Sequence, residues 1–239
     1  MSTSRTAIAP TDSPTLVPLP RVLGVLAVRP LLILVLGGAL LLTGTSLIWS
    51  NALVVLVDLL SVLVLAAALH REGRTVRELL RPWGWADLGW GALLVVVLFV
   101  AFFLASYAAN LAVYHDAPPL GTPPEVPLLI GIVAVVFAPA TIAVAEELIY
   151  RGYAQPRLGA RWGRTAGLLV VAVVFGVQHI GFVLDDPRAL IAKIITTALL
   201  GLVLGGAMML LRRVAPLVIG HWVLDLFGLG LPTLILALS

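Results

Sequence analysis

The chain has 239 residues, 61% of them apolar and only 11% charged, where a soluble domain carries about 25% charged residues; its mean hydropathy is +1.10. This composition excludes a soluble protein with a large core, and the absence of cysteine excludes disulfides, thiolate catalysis, iron–sulfur clusters and cysteine-bound zinc. The net charge of +3, from fourteen arginines and one lysine against twelve acids, lies mainly at the ends of apolar segments. There it anchors and orients helices, and no soluble basic patch with interleaved aromatics points to nucleic acid.

Residues 1–21, rich in Ser, Thr and Pro, lack the compact apolar core and cleavage site of a signal peptide. They read as a disordered tail ahead of a single membrane domain at 22–239. Spans need about 20 apolar residues, and segments of this kind fall near 30–48, 51–69, 88–113, 127–150, 165–183, 189–211 and 214–236. The expected fold is all-α and polytopic, with about seven transmembrane helices. Only Ser50-Asn51 separates the first two segments, which predicts a tight hairpin. Between the second and third lies HREGRTVRELLRPWGWADLG, with apolar positions at helical spacing. It predicts one interfacial amphipathic helix, anchored by Trp83, Trp85 and Trp90.

The loops give an orientation. Arg21 and Arg29, then Arg71 to Arg81, then Arg151 to Arg164, then Arg212 and Arg213 all fall on one side of seven alternating spans. The other side receives Asp116, Glu125 and the Asp185-Asp186 turn. The positive-inside rule makes the N-terminus cytoplasmic. One lysine against fourteen arginines fits a GC-rich bacterial coding sequence, hence a bacterial cytoplasmic membrane.

Asp58, Glu146, Glu147, His179, Lys193, His221 and Asp225 remain inside the spans, where each charge costs roughly 2.5 to 3.5 kcal/mol on insertion scales and marks a working site by default. Glu147 and Arg151 are four apart with the acid first, a spacing that favours a structural ion pair, the arginine head reaching the interface. Glu146 points about 100° away on an ideal helix and is left unpaired, as a general base requires. His221 and Asp225 share a helix face. His179 taken alone reads as a hydrogen-bonded core residue. Asp58 has no evident partner, Lys193 can snorkel outward, and Gly201 with Gly205 reads as close helix packing.

Three segments resemble the CPBP family of intramembrane proteases, which includes CAAX prenyl proteases, bacteriocin-processing enzymes and abortive-infection-like members. Its EExxxR motif corresponds to Glu146, Glu147 and Arg151, its FxxxH motif to Phe175 and His179, and its HxxxN/D motif to His221 and Asp225. The resemblance covers about 127–230 and implies a protease core there, active on peptide bonds of a membrane-associated or lipophilic peptide or protein in the lipid bilayer. It implies Glu146 as the base that activates water, His179 as its partner, and His221 with Asp225 as the oxyanion-stabilising pair. Glu147, Arg151 and Phe175 would support the site. Asp225 stands where the best-described members carry asparagine, and an ionised aspartate cannot donate to an oxyanion.

Two chemistries remain open. His179, His221 and a carboxylate, Asp225 or Glu146, could hold one divalent zinc ion, or the same residues could act without a cofactor. HExxH, GxGD and GxSG are absent. A non-catalytic scaffold or bacteriocin immunity protein, and a proton-coupled transporter, are the rival classes. At about 1.5 Å per residue, Glu146 lies roughly 7 Å and His221 roughly 10 Å from the arginine-rich helix ends, and His179 roughly 20 Å from Thr165. The residues can meet only if the fifth helix begins well outside the bilayer, around a cavity expected to open to the cytoplasm.

Overall fold

A computed structural model of the chain describes residues 16–119 and 123–239. Among these residues every regular element is helical and there is no strand, as lipid requires of a chain that does not close into a barrel. Six helices are long and apolar enough to cross a bilayer: Leu19–Leu42, Leu47–His70, Ala86–Tyr114, Arg164–Phe182, Pro187–Leu211 and Ala215–Leu238. A pair bent by 44°, Leu128–Val136 and Ala138–Trp162, taken as one crossing, is the fourth of seven spans. The bend falls beside Pro139, whose ring cannot donate to the preceding turn and crowds its carbonyl.

Several boundaries differ from those read in the sequence. The first span begins at Leu19 and ends at Leu42, so Arg29 and Pro30 lie inside it. Of the expected N-terminal tail, residues 1–15 lie outside the described residues, while Leu19 to Arg21 are already helical. The first hairpin turns at Thr43 to Ser46, where Gly44 takes a φ of +68° open to glycine without strain. Ser50-Asn51 instead begins the next helix. The expected interfacial helix is a single turn, Val76–Leu79, closed by a capping box between Thr75 and Glu78. Gly73 before it and Pro82 and Gly84 after it stop it from extending. Trp83, Trp85 and Trp90 are exposed as an interfacial anchor requires.

The largest difference is in the fourth span. It does not stop at Tyr150 but continues through a π-helical stretch, Glu147–Ala154, to Trp162. Its final eight residues and the start of the fifth span, at Arg164, form a helical hairpin around Gly163, whose φ is +90°. A Cβ on Gly167 would press into the backbone of Gly159, so glycine sets how closely the two helices approach.

Outward faces carry Leu31, Val35, Leu63, Val96 and Phe103, the side chains a bilayer solvates. Contacts between spans use small residues, as lipid offers no hydrophobic drive to bring helices together. Gly37 of the first span meets the Gly181 backbone, and Gly201 and Gly205 of the sixth meet Ala172 and Leu168. The arginines gather one set of helix ends: Arg161 donates to the Val17 carbonyl, Arg157 pairs with Glu72, Arg164 donates to the Met209 carbonyl, and Arg213 binds Asp87.

Candidate active site

The fourth, fifth and seventh spans meet where their in-span charges lie, and the first and second spans join them. Glu146 closes the α-helical part of its span and Glu147 opens the π-helical part. A π turn bonds i to i+5 and is common at functional sites. Arg151 Nη1 lies 3.0 Å from Glu147 Oε1, with both side chains fully buried. The arginine therefore does not reach the interface as the sequence suggested. Its guanidinium lies 4.2 Å from the Phe175 ring centroid and donates to the Gly201 carbonyl at 3.4 Å, which the missing side chain exposes. Next to it, Gln155 donates to the Gly205 carbonyl at 2.9 Å. The two sixth-span glycines thus do more than bring helices close: they open backbone acceptors to buried polar groups.

His221 links the glutamate pair to the seventh span. Its Nδ1–H donates to Glu147 Oε1 at 2.8 Å, which fixes the ring and turns Nε2 toward two other carboxylates. Glu146 Oε2 lies 3.6 Å and Asp225 Oδ2 3.4 Å from that nitrogen. Glu147 therefore orients the histidine as well as pairing with Arg151. Neither Glu146 Oε2 nor Asp225 Oδ2 has a hydrogen-bond partner, although both are buried. Buried acceptors left in this way are costly unless water or a ligand reaches them.

His179 sits in a short 3-10 turn, Gln178–Phe182, at the end of the fifth span. Its Nδ1–H donates to the Phe175 carbonyl at 2.8 Å, so the neutral ring offers Nε2 as an acceptor. Phe175 is the hub of the three motifs. Besides the Arg151 cation, its ring packs against His179 at 5.3 Å and His221 at 6.1 Å between centroids. A phenylalanine here holds the guanidinium over its ring and packs against both imidazoles.

Glu146 is not the free carboxylate expected from the sequence. Arg29 Nη1 lies 2.5 Å from its Oε1 and donates to Gln178 Oε1 at 2.6 Å. The other side of the guanidinium engages Asp58 Oδ1, through Nε at 2.9 Å and Nη2 at 2.8 Å. Thr141 donates to Asp58 Oδ2 at 2.9 Å, and Tyr150 donates to Gln178 at 2.7 Å. Asp58 thus has a partner, and Arg29, read as a loop residue that orients the first span, is wholly buried. The signal was present in the sequence: a lone acid in the second span requires a base at similar depth. Gln178, Thr141 and Tyr150 carried no comparable signal.

Glu146, His179, His221 and Asp225 line a cavity of about 140 Å³ with Arg29 and Lys193. Asn51, Phe182 and Lys193 on its wall belong to the halves of their spans remote from the arginine-rich ends. A second groove of about 280 Å³ shares Phe102 and Lys193 with it and continues past Asn110 and Tyr114 to Pro118. The cavity was expected to open toward the arginine-rich ends; its walls and the adjoining groove include residues toward the opposite ends of these spans. Gly152 of the fourth span packs against Leu79 and Val214, and the span runs on from there to Trp162.

The zinc alternative would need His179, His221 and a carboxylate on one ion. Among the described residues no group of three His, Asp or Glu side chains is placed to hold a metal ion. Arg29 engages one oxygen of Glu146, Glu147 engages Nδ1 of His221, and Lys193 adds a cation to the cavity.

Residues 124–227, which hold all three motifs, match the family model described as type II CAAX prenyl endopeptidase Rce1-like. Comparison of the chain with curated proteins and with solved structures finds no significant match. The domain at 124–227 thus matches the CAAX-type family of intramembrane proteases that the three motifs resemble.

Proposed function

We propose that the chain is an intramembrane endopeptidase that cleaves membrane-associated or lipophilic peptides, with Glu146 as general base. The observation that carries this reading is the free Oε2 of Glu146, buried without a partner and 3.6 Å from His221 Nε2, in a cavity shared with His179 and Asp225. A water held at Oε2, with His179 Nε2 as a second acceptor, gives a proton to Glu146 as its oxygen attacks the scissile carbonyl carbon. The carbonyl electron pair moves onto oxygen, where a His221 Nε2–H donates to it. Glu147 fixes that imidazole, and the Asp225 carboxylate accepts from the same edge and orients it. When the C–N bond breaks, the proton on Glu146 passes to the leaving amine.

The positive-inside rule makes the arginine-rich end cytoplasmic, in keeping with a bacterial inner membrane. The cavity and its groove then lie in the opposite half of the bilayer, and substrate reaches Glu146 along Tyr114, Asn110 and Phe102. The larger cavity at the arginine-rich end, about 800 Å³, shares no lining residue with the site, which favours a one-sided enzyme over a transporter. Purified protein offered a panel of hydrophobic peptides tests the reading. Cleavage by wild type, a loss of about 10²- to 10⁴-fold in Glu146→Ala, and full activity with a chelator are expected. A panel left uncut by wild type, or cut equally by Glu146→Ala, overturns it.

A further inference from the structure

Arg29 and Asp58 lie on the first two spans, outside the matched domain at 124–227, yet they reach the base of that domain. We infer that Arg29, itself held by Asp58, is a positioning residue that fixes Glu146 so that one oxygen is held and the other is free for water. The inference rests on the proteolytic reading above.

The geometry divides the carboxylate. Arg29 Nη1 engages Oε1 at 2.5 Å, and Oε2 is left facing His221 with no hydrogen bond. A glutamate has three rotatable bonds, so a lone carboxylate in a cavity would sample several positions. The arginine stops this and is itself held. Its Nε donates to Asp58 and its Nη1 to Gln178, beside ion contacts to Asp58 and Glu146, and Thr141 and Tyr150 hold Asp58 and Gln178 in turn. The first, second, fourth and fifth spans all contribute.

Stability alone does not account for this network. Apolar residues of similar volume in place of a buried ion pair often leave a protein as stable or more so. Each of these spans could have been apolar at the position concerned. Misplacing a catalytic group by about 1 Å, by contrast, is worth about 10²-fold in rate. The first two spans therefore complete the active site and are more than an anchor for the protease core.

The test uses the full chain in nanodiscs, as wild type, Arg29→Lys, Arg29→Met and the double variant Arg29→Met/Asp58→Asn. The double variant leaves no orphaned aspartate, although Glu146 still loses its cation, so its melting temperature should recover part of what Arg29→Met alone loses. Its kcat on the cleaved peptide should nevertheless stay about 10²-fold low with KM within about twofold, and Arg29→Lys should recover part of the loss. A folded double variant with wild-type kcat overturns the inference, as does a loss confined to KM. A second readout does not depend on cleavage: the infrared band of the Glu146 carboxylate, isolated with ¹³C-glutamate by difference from Glu146→Gln. That band should shift in the double variant; an unchanged band overturns the inference even if no peptide is cut, whereas a shifted band with no cleavage by wild type counts only against the proteolytic reading.

Discussion

At the scale of single residues, the two adjacent glutamates each leave a buried Oε2 without a hydrogen-bond partner, but only Glu146 lines the cavity. Glu147 gives Oε1 to both Arg151 and His221, while Glu146 gives Oε1 to Arg29 and turns Oε2 toward His221 Nε2. The Glu147–Arg151 pair was legible, because the two residues have the spacing of a pair. The cation on Glu146 was hidden, since Arg29 stands just before Pro30 at what looked like a helix start. Orphaning one member of a buried pair costs about 3 to 5 kcal/mol. Arg151→Met should therefore lower the melting temperature strongly, and Arg151→Met with Glu147→Leu should recover much of it. Asp225→Asn tests a subtler point. A carboxylate that accepts from His221 Nε2 should lose about tenfold in kcat as the amide, with KM kept; undiminished kcat would assign the residue to hydrogen-bond donation instead.

At the scale of elements, function depends on where helices stop and how closely they cross. The sequence shows the seven apolar segments but not the end of the fourth, because Arg151, Gln155 and Arg157 look like a polar boundary. Buried glycine carbonyls, the Phe175 face and Glu72 give those side chains partners inside the protein, so the helix continues to Trp162. Patterning reads a polar run as a loop, whereas tertiary contacts let it remain helical. The Gly37–Gly181 crossing carries a corresponding prediction. A Cβ on Gly37 would overlap the Gly181 carbonyl, two helical turns from Arg29 and close in sequence to Gln178. Gly37→Leu should push the first span away, costing about 1 to 3 kcal/mol of stability and reducing peptide cleavage. A variant as stable and active as wild type would show that the crossing does not position the site.

At the scale of the whole molecule, the orientation expected from the arginine-rich ends can be tested directly. Because the chain has no cysteine, single cysteines report topology cleanly. A cysteine at Trp162 should be shielded from an impermeant reagent in intact cells and one at Asp116 should react, the reverse pattern contradicting the orientation. The seven-fold alternation of apolar segments was readable from composition, but the position of the cavity was not, because it depends on tilts and on the bend at Pro139. The proposed mechanism turns on one carboxylate oxygen, Oε2 of Glu146. The most direct measurement is the peptide hydrolysis rate of Glu146→Gln beside that of Glu147→Gln, each with its melting temperature. The account predicts that Glu146→Gln melts near wild type and cleaves about 10²- to 10⁴-fold more slowly, while Glu147→Gln loses stability and rate together. A folded Glu146→Gln protein that cleaves at the wild-type rate would contradict it.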